Sequence, residues 1–337
     1  KPYQDTGKTL PVTAATAWPG GSLPVTIGVY IENIYNFEVQ SQTFAAEGRT
    51  WLTWPREFQA LLDATKTSPA VLLDFANAVA ATDFSLQTTS EPVLMPDGRY
   101  YQAYKFSGKF YAAGLDFRRF PFETLRFPIA INLALGNVPA DITQVHLLPD
   151  AASTGIGEYA DLPGYITTGQ DIRSSIRVLN TEFGTANGSD RAVSRAEMHI
   201  VFRKSMVAAV LQLFVPLLVV MAVVLLAPNL AGSLWDVRVA LPSTALLTLV
   251  FLQQTYRDQL PSLPYVTFLD QIYSLSYATA LAFFCLFVWS SNRLDQSTAA
   301  DRAAVIDRIN RVDLRFQIVA TLVLAGLITL SWFVPIQ

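Results

Sequence analysis

Cysteine occurs once in 337 residues, at Cys285, and histidine twice, at His146 and His199. A lone cysteine excludes an intrachain disulfide in any redox compartment, and its place inside an apolar run reads as a small helix- or lipid-facing residue. The two histidines stand far apart, without ligand-like spacing to the cysteine or to paired carboxylates, and no metal is assigned. No GxSxG, HExxH or phosphate-cradling glycine pattern is present either. Catalysis has almost no foothold, so the expectation is a protein that is not an enzyme and needs no cofactor. Charge is scarce as well, at 15% of residues with a net value of −3. Without a basic stripe there is no electrostatic footprint for a nucleic-acid partner.

What the chain has is apolar surface: 51% of its residues are hydrophobic. Such a balance points to lipid as solvent. The excess is concentrated after residue 204, so two domains are expected, one wet and one embedded. Residues 1–21, rich in Thr, Pro, Gly and Ala, read as an irregular leader or linker. The chain opens at Lys1 without a signal peptide, which for an exported domain implies a processed terminus and leaves room for an additional N-terminal sensory domain. From Val25 the pattern has period two: Val25–Ile31, Gln42–Ala45, Thr50–Trp54 and the aromatic run Tyr100–Tyr111 read as strands. Met95-Pro96-Asp97-Gly98 is a turn by its chemistry. Phe58–Ala81 is weaker, a short helix or irregular. Short strands with turns between them predict an antiparallel, immunoglobulin-like β-sandwich of about ten strands over residues 22–204.

Four spans follow. Ser205–Ala227, Gln271–Ser291 and Phe316–Gln337 carry no charge over 23, 21 and 22 residues, each enough for a helix to cross the hydrocarbon core. Val239–Tyr256 is an 18-residue segment between Arg238 and Arg257 that holds Ser243, Thr244, Thr248, Gln253, Gln254 and Thr255. An all-α four-helix domain is expected over 205–337, with helices near 205–227, 236–257, 266–291 and 313–335. Arg293, Arg302, Arg308, Arg311 and Arg315 place the 292–312 loop in the cytoplasm by the positive-inside rule, and a solvated amphipathic helix within that loop fits the same topology. The N-terminal domain and the C-terminus then share the outer side.

On a 3.6-residue helix Asp236, Ala240, Thr244, Leu247, Phe251, Gln254 and Asp258 fall on one stripe, acidic at both ends and apolar in the middle. In lipid such a stripe must face protein or water. Several copies around an axis would make a wet pore with carboxylate rings and an apolar constriction. The rival reading is a buried helix whose polar groups hold a bundle together. Spacing leaves the two open.

Several motifs in order resemble the pentameric ligand-gated ion channels, the Cys-loop receptor superfamily, and in particular its bacterial members. Val25–Tyr35 resembles the family's first strand. Leu115-Asp116-Phe117-Arg118-Arg119-Phe120-Pro121-Phe122-Glu123 resembles its signature loop, with Glu123 where Asp is usual. Arg203 falls at the arginine closing the last strand, Pro216 at the proline of the first span, and Leu260–Phe268 at the loop between the second and third spans. The two cysteines of the family would sit at about Ala113 and Phe127, so the loop disulfide is absent. Pro242 inside the pore helix departs from the pattern and removes a backbone donor, marking a place for a kink.

The resemblance implies a homopentamer among membrane lipids, in a bacterial inner membrane with the N-terminal domain periplasmic or extracellular, passing cations through a pore lined by the second span. Leu247 and Phe251 match the hydrophobic gate, and Asp236 the acidic ring that selects cations. Arg238 either pairs with Asp236 or points behind the pore; facing the lumen, it would favour an anion-selective channel. A non-conducting membrane sensor is the third reading. Glu38, Phe120, Pro121, Phe122, Glu123, Arg203, Pro261, Pro264 and Tyr265 match the elements that couple the outer domain to the pore; a purely structural ion-pair network is the plain alternative. Arg49, Trp51, Tyr101, Tyr165 and Phe183 are the ligand-site candidates, under a hairpin expected over 182–195. Their thin aromatic cage disfavours a quaternary ammonium, and Arg49 would suit a carboxylate unless it is merely solvated. Packing in the sandwich explains these aromatics equally well. The effector is left as a small molecule, a proton or a divalent cation.

Overall fold

The computed structural model describes residues 8–12, 22–79, 83–112, 114–136, 138–140, 144–179, 192–298 and 300–333. The chain forms two compact units, Lys1–Leu115 with Thr124–Arg203 and Asp116–Glu123 with Lys204–Gln337. The eight-residue segment at the heart of the signature loop therefore belongs with the helices, although strands flank it on both sides.

The first unit holds two sheets. One runs β1 (Lys8–Val12), β11 (Tyr165–Val178), β12 (Ala192–Lys204), β8 (Thr124–Leu133) and β4 (Leu73–Phe75). The other runs β10 (Gly155–Tyr159), β2 (Leu23–Glu38), β3 (Thr43–Trp54), β7 (Tyr100–Tyr111) and β5 (Ser85–Thr88), with β6 (Val93–Leu94) on β7 and β9 (Val145–Pro149) on β2. Period two decides which side chains go in: along β12, Ser194, Ala196, Met198, Ile200 and Phe202 are buried while the residues between them are not. Phe44 of β3 stacks on Phe127 of β8 at 4.6 Å, and Phe75 of β4 meets Phe106 of β7 at 5.2 Å, so aromatic side chains of the two sheets share one core.

Local chemistry fixes the connections. Gly98 takes φ 86° and donates its amide to Met95 O, and Asp97 accepts from the Arg99 amide, closing the expected turn. Gly28 faces Trp51 across the β2–β3 ladder, and a Cβ at Gly28 would lie 2.1 Å from the indole. Only glycine lets the ring lie flat there. The sandwich is not purely antiparallel as expected, since β9 and β10 both pair parallel with β2, and two further stretches differ from the sequence expectation. Lys8–Val12, inside the expected leader, pairs antiparallel with β11. The ambiguous run after Phe58 resolves into α1 (Arg56–Thr65), a short helical turn and β4.

The second unit contains four helices long and apolar enough to cross a membrane: Met206–Asn229, Trp235–Arg257, Phe268–Asp295 and Arg302–Phe333. The first includes a π-type turn, Val210–Phe214, ahead of Pro216. Proline has no N–H and crowds the carbonyl four residues back, which a widened turn accommodates. The 292–312 stretch expected to be a cytoplasmic loop is mostly helical: the third span helix runs to Asp295 and the fourth starts at Arg302. Hydropathy marks the apolar part of a helix, whereas the arginine-bearing turns continue the same hydrogen-bond ladder beyond it. At 1.5 Å per residue the fourth helix is about 48 Å long, well over the ~30 Å of a hydrocarbon core.

Candidate functional site

The second span helix is continuous from Trp235 to Arg257, passing through Pro242. Its hydroxyls bond to its own backbone: Ser243 Oγ donates to Val239 O, Thr248 to Thr244 O and Thr255 to Phe251 O, each at 2.9 Å. Such bonds satisfy polar groups where lipid offers no partner. One side of the helix, Arg238, Pro242, Ala245, Leu249 and Tyr256, is buried against the rest of the unit. All seven residues of the predicted stripe, Asp236, Ala240, Thr244, Leu247, Phe251, Gln254 and Asp258, are exposed on the opposite side of the single chain. Leu247 and Phe251 are 58% and 65% exposed. Near the end of the stripe Gln254 Nε2 donates to Asp258 Oδ1 at 2.8 Å.

Arg238 is not on that surface. It donates to Asp313 of the fourth span helix, and its guanidinium lies 4.6 Å from the centre of the Phe287 ring on the third. Of the three placements open to this arginine, pairing with Asp236, facing the lumen or turning behind the helix, the structure has the last, and Asp236 is left without an arginine partner among the described residues.

At the other end, Tyr256 donates to Asp270 and Arg257 Nε lies 2.9 Å from the same carboxylate. Asp270 sits at the third position of a capping box: Thr267 Oγ1 accepts from the Asp270 amide and Asp270 Oδ2 accepts from the Thr267 amide. One buried carboxylate thus starts the third helix and ties it to the end of the second.

The signature segment packs on this end of the helices. Phe120 stacks on Tyr256 at 6.1 Å, Phe122 stacks on Phe214 at 5.7 Å and meets Trp332 edge-on at 5.7 Å. Arg118 lies over the Tyr265 ring at 4.7 Å, Tyr265 Oη accepts from the Phe117 amide, and the Phe268 amide donates to Arg118 O at 2.8 Å. Residues 117–122 therefore touch the first, second, third and fourth span helices or the loop between the second and third. Pro261 and Tyr265 in that loop are half-buried, and Pro264 is exposed.

The expected charge cluster is arranged differently. Glu123 is buried, and the cation beside its carboxylate is Lys204 at 3.8 Å, which also lies 4.6 Å over the Phe120 ring. Arg203 is exposed on β12. Neighbours on a strand point to opposite faces, so a one-residue offset exchanges the partner, an ambiguity that spacing alone leaves. Glu38 is bound to Ser41 Oγ at 2.8 Å and to Lys109 at 3.3 Å, which together hold its carboxyl below the ordinary range.

Among the ligand-site candidates, Arg49, Trp51 and Tyr101 share the outward face of β3 and β7. Arg49 Nε is 2.7 Å from Glu32, and Trp51 Nε1 donates to Asp150 at 3.1 Å, so both polar ends are occupied. Tyr165 begins β11 in the other sheet. Phe183 and most of the 182–195 hairpin lie outside the described residues.

Sequence reading missed Lys204, Tyr256, Asp270, Asp313 and Trp332. The Thr267-x-x-Asp270 spacing is a capping-box signal in the chain itself, and Asp313 is a carboxylate at the edge of an apolar run; both are legible signs. No model of a known protein family matches the chain, and no curated protein matches it.

Proposed function

We propose that the chain is one subunit of a pentameric ligand-gated cation channel, a bacterial member of the Cys-loop receptor superfamily without the loop cysteines. In this reading the two sheets form an outer β-sandwich, and five copies of the second span helix surround the pore. The observation that carries it is the exposed side of that helix. Its carboxylates and amides need water or protein, whereas the exposed side of the fourth helix along its apolar stretch presents mainly Ile318, Val319, Leu322, Val323 and Leu327, with the Thr321 and Thr329 hydroxyls bonded to their own backbone. A helix with one face against its own bundle and a second, amphiphilic face outward suits an axis shared with other copies.

Each role follows from position on that face. Rings of Leu247 and Phe251 form a constriction that dewets when narrow. A ring of Asp236 carboxylates at one end concentrates cations and repels anions. Arg238, spent on Asp313, adds no positive charge there, which favours cation over anion selectivity. The Phe120–Tyr256 and Phe122–Phe214 stacks make the signature segment a handle on the helices, through which a stimulus at the sheets reaches the pore.

Purified chain in planar bilayers under a salt gradient tests this, with pH, divalent cations and small acids and amines screened as stimuli. The expected result is a stimulus-dependent current whose reversal potential lies toward that of the cation, displaced toward the anion's by Asp236→Lys. A reversal potential on the anion's side would replace the reading with the anion-selective one. No current under any stimulus, from protein that is pentameric by mass, would leave a non-conducting sensor.

A further inference from the structure

Three arginines that the sequence did not single out converge on the outward face of the five-stranded sheet. A cavity of about 520 Å³ there is lined by Arg126 of β8, Arg177 of β11 and Arg195, Glu197 and His199 of β12, with Ala130 and Pro128 on its apolar floor. Strand register builds it. Asn132, Ala130 and Pro128 stand opposite Arg195, Glu197 and His199 on the β8–β12 ladder, so their side chains emerge on one surface in matched rows.

The charges in this cavity are not balanced. Glu197 is the sole carboxylate in its lining and faces His199 at 3.6 Å, and none of the three arginines lies within ion-pair distance of a carboxylate among the described residues. Arg195 is nevertheless held in place: its Nε donates to Asn132 Oδ1 at 2.8 Å, and Asn132 Nδ2 donates to Asp74 at 3.1 Å. That bond uses the inner edge of the guanidinium and leaves the terminal nitrogens for a ligand. Burial, and then the charge of Arg177 beside it, push Arg195 below the ordinary arginine range, against the smaller opposite pulls of Glu197 and Asp74. Guanidiniums that repel one another across an open cavity, one of them held by Asn132, are stabilised by an anion between them.

We propose that this cavity is a binding site for a small organic dianion, a dicarboxylate or a phosphate monoester, gripped by Arg177 and Arg195 with Arg126 at the rim. The guanidinium fork matches the two oxygens of such groups, and two negative charges match the excess positive charge of the lining. Arg49, the arginine that looked suited to a carboxylate, is already paired with Glu32, whereas none of these three has a carboxylate within ion-pair distance among the described residues. The site stands on the first unit alone and is independent of whether the chain conducts.

Titration calorimetry on the purified full chain in detergent tests it, with succinate and glycerol phosphate as probes and succinamide and sodium chloride of matched ionic strength as controls. Saturable binding of one or both dianions is expected, their relative strength telling carboxylate from phosphate, with no saturable heat from either control. Arg177→Gln and Arg195→Gln each weaken it about tenfold or more. Arg173→Gln, on the same strand but paired with Asp171 at 2.6 Å and outside the cavity, leaves it unchanged. Should Arg195→Gln fail to fold, Arg126→Gln at the exposed rim serves in its place. No saturable binding of either dianion, or binding at full strength in the Arg177 variant and its companion, overturns the site.

Discussion

Arg238 and Asp313 form an ion pair inside the helical unit, the residues being 1% and 0% exposed. Their other polar atoms fare less well: Arg238 Nε and Asp313 Oδ1 have no hydrogen-bond partner among the described residues. Breaking such a pair strands a charge, while replacing both members with apolar groups removes the desolvation cost together with the attraction. Asp313→Asn is therefore expected to cost about 3–5 kcal/mol, and Arg238→Met with Asp313→Leu much less. Thermal unfolding in detergent, followed by circular dichroism, should rank the double variant above the single one. A single variant that melts with the double would show that Arg238 finds another partner.

Tyr256 couples two kinds of contact, a ring stacked on Phe120 and a hydroxyl that donates to Asp270. Tyr256→Phe keeps the first and removes the second, at about 1.5–3 kcal/mol for a hydrogen bond to a charged group. Tyr256→Leu removes the stack as well, for a further ~0.5–1.5 kcal/mol. If the signature segment is a handle on the pore helix, the Phe variant responds to the stimulus with shifted sensitivity and the Leu variant loses more of the response. Equal dose-response curves for wild type and Tyr256→Leu would separate this contact from gating.

His146 is 1% exposed on β9, and burial pushes its pKa below the ordinary 6.5. The folded state therefore prefers the neutral ring, while the unfolded chain takes up a proton near pH 6.5. The unfolded state binds more protons in that window, so stability is fully present above it and falls as pH drops through it toward the folded pKa. Denaturant unfolding at stepped pH should show this loss in wild type, and His146→Gln should flatten the slope between pH 6.5 and the acid range where carboxylates take over. An unchanged slope in the variant would assign the pH dependence to other groups.

Much of this arrangement was legible in the chain. Strand alternation and the Met95–Gly98 turn follow from period two and turn chemistry, and the stripe from Asp236 to Asp258 follows from period 3.6 alone. What stayed hidden depends on partners distant in sequence. Whether Arg238 turns toward Asp236 or away is decided by Asp313, 75 positions later. Which of Arg203 and Lys204 meets Glu123 turns on the parity of one strand, and the three arginines of the anion cavity come from three strands whose adjacency no local pattern reveals. Helix ends failed for a different reason: hydropathy reports the thickness of apolar cover, so the arginine-bearing start of the fourth helix read as loop.

The exposed stripe admits a test that needs no agonist. Cys285 lies exposed on the third helix, so its replacement by Ser gives a cysteine-free background. Single cysteines at Ala240, Thr244 and Leu247 probe the stripe, at Ala245 and Leu249 the buried side, and at Ile318 and Leu322 the apolar face of the fourth helix. The last pair is exposed in the single chain but bathed in lipid after reconstitution, where a charged thiol reagent is disfavoured by several kcal/mol. Liposomes treated with a permanently charged methanethiosulfonate should therefore label the stripe roughly a hundredfold faster than either of the other sets. Stripe positions as slow as Ile318 would mean that the amphiphilic side borders lipid or packed protein rather than water, and would remove the observation on which the proposed channel rests.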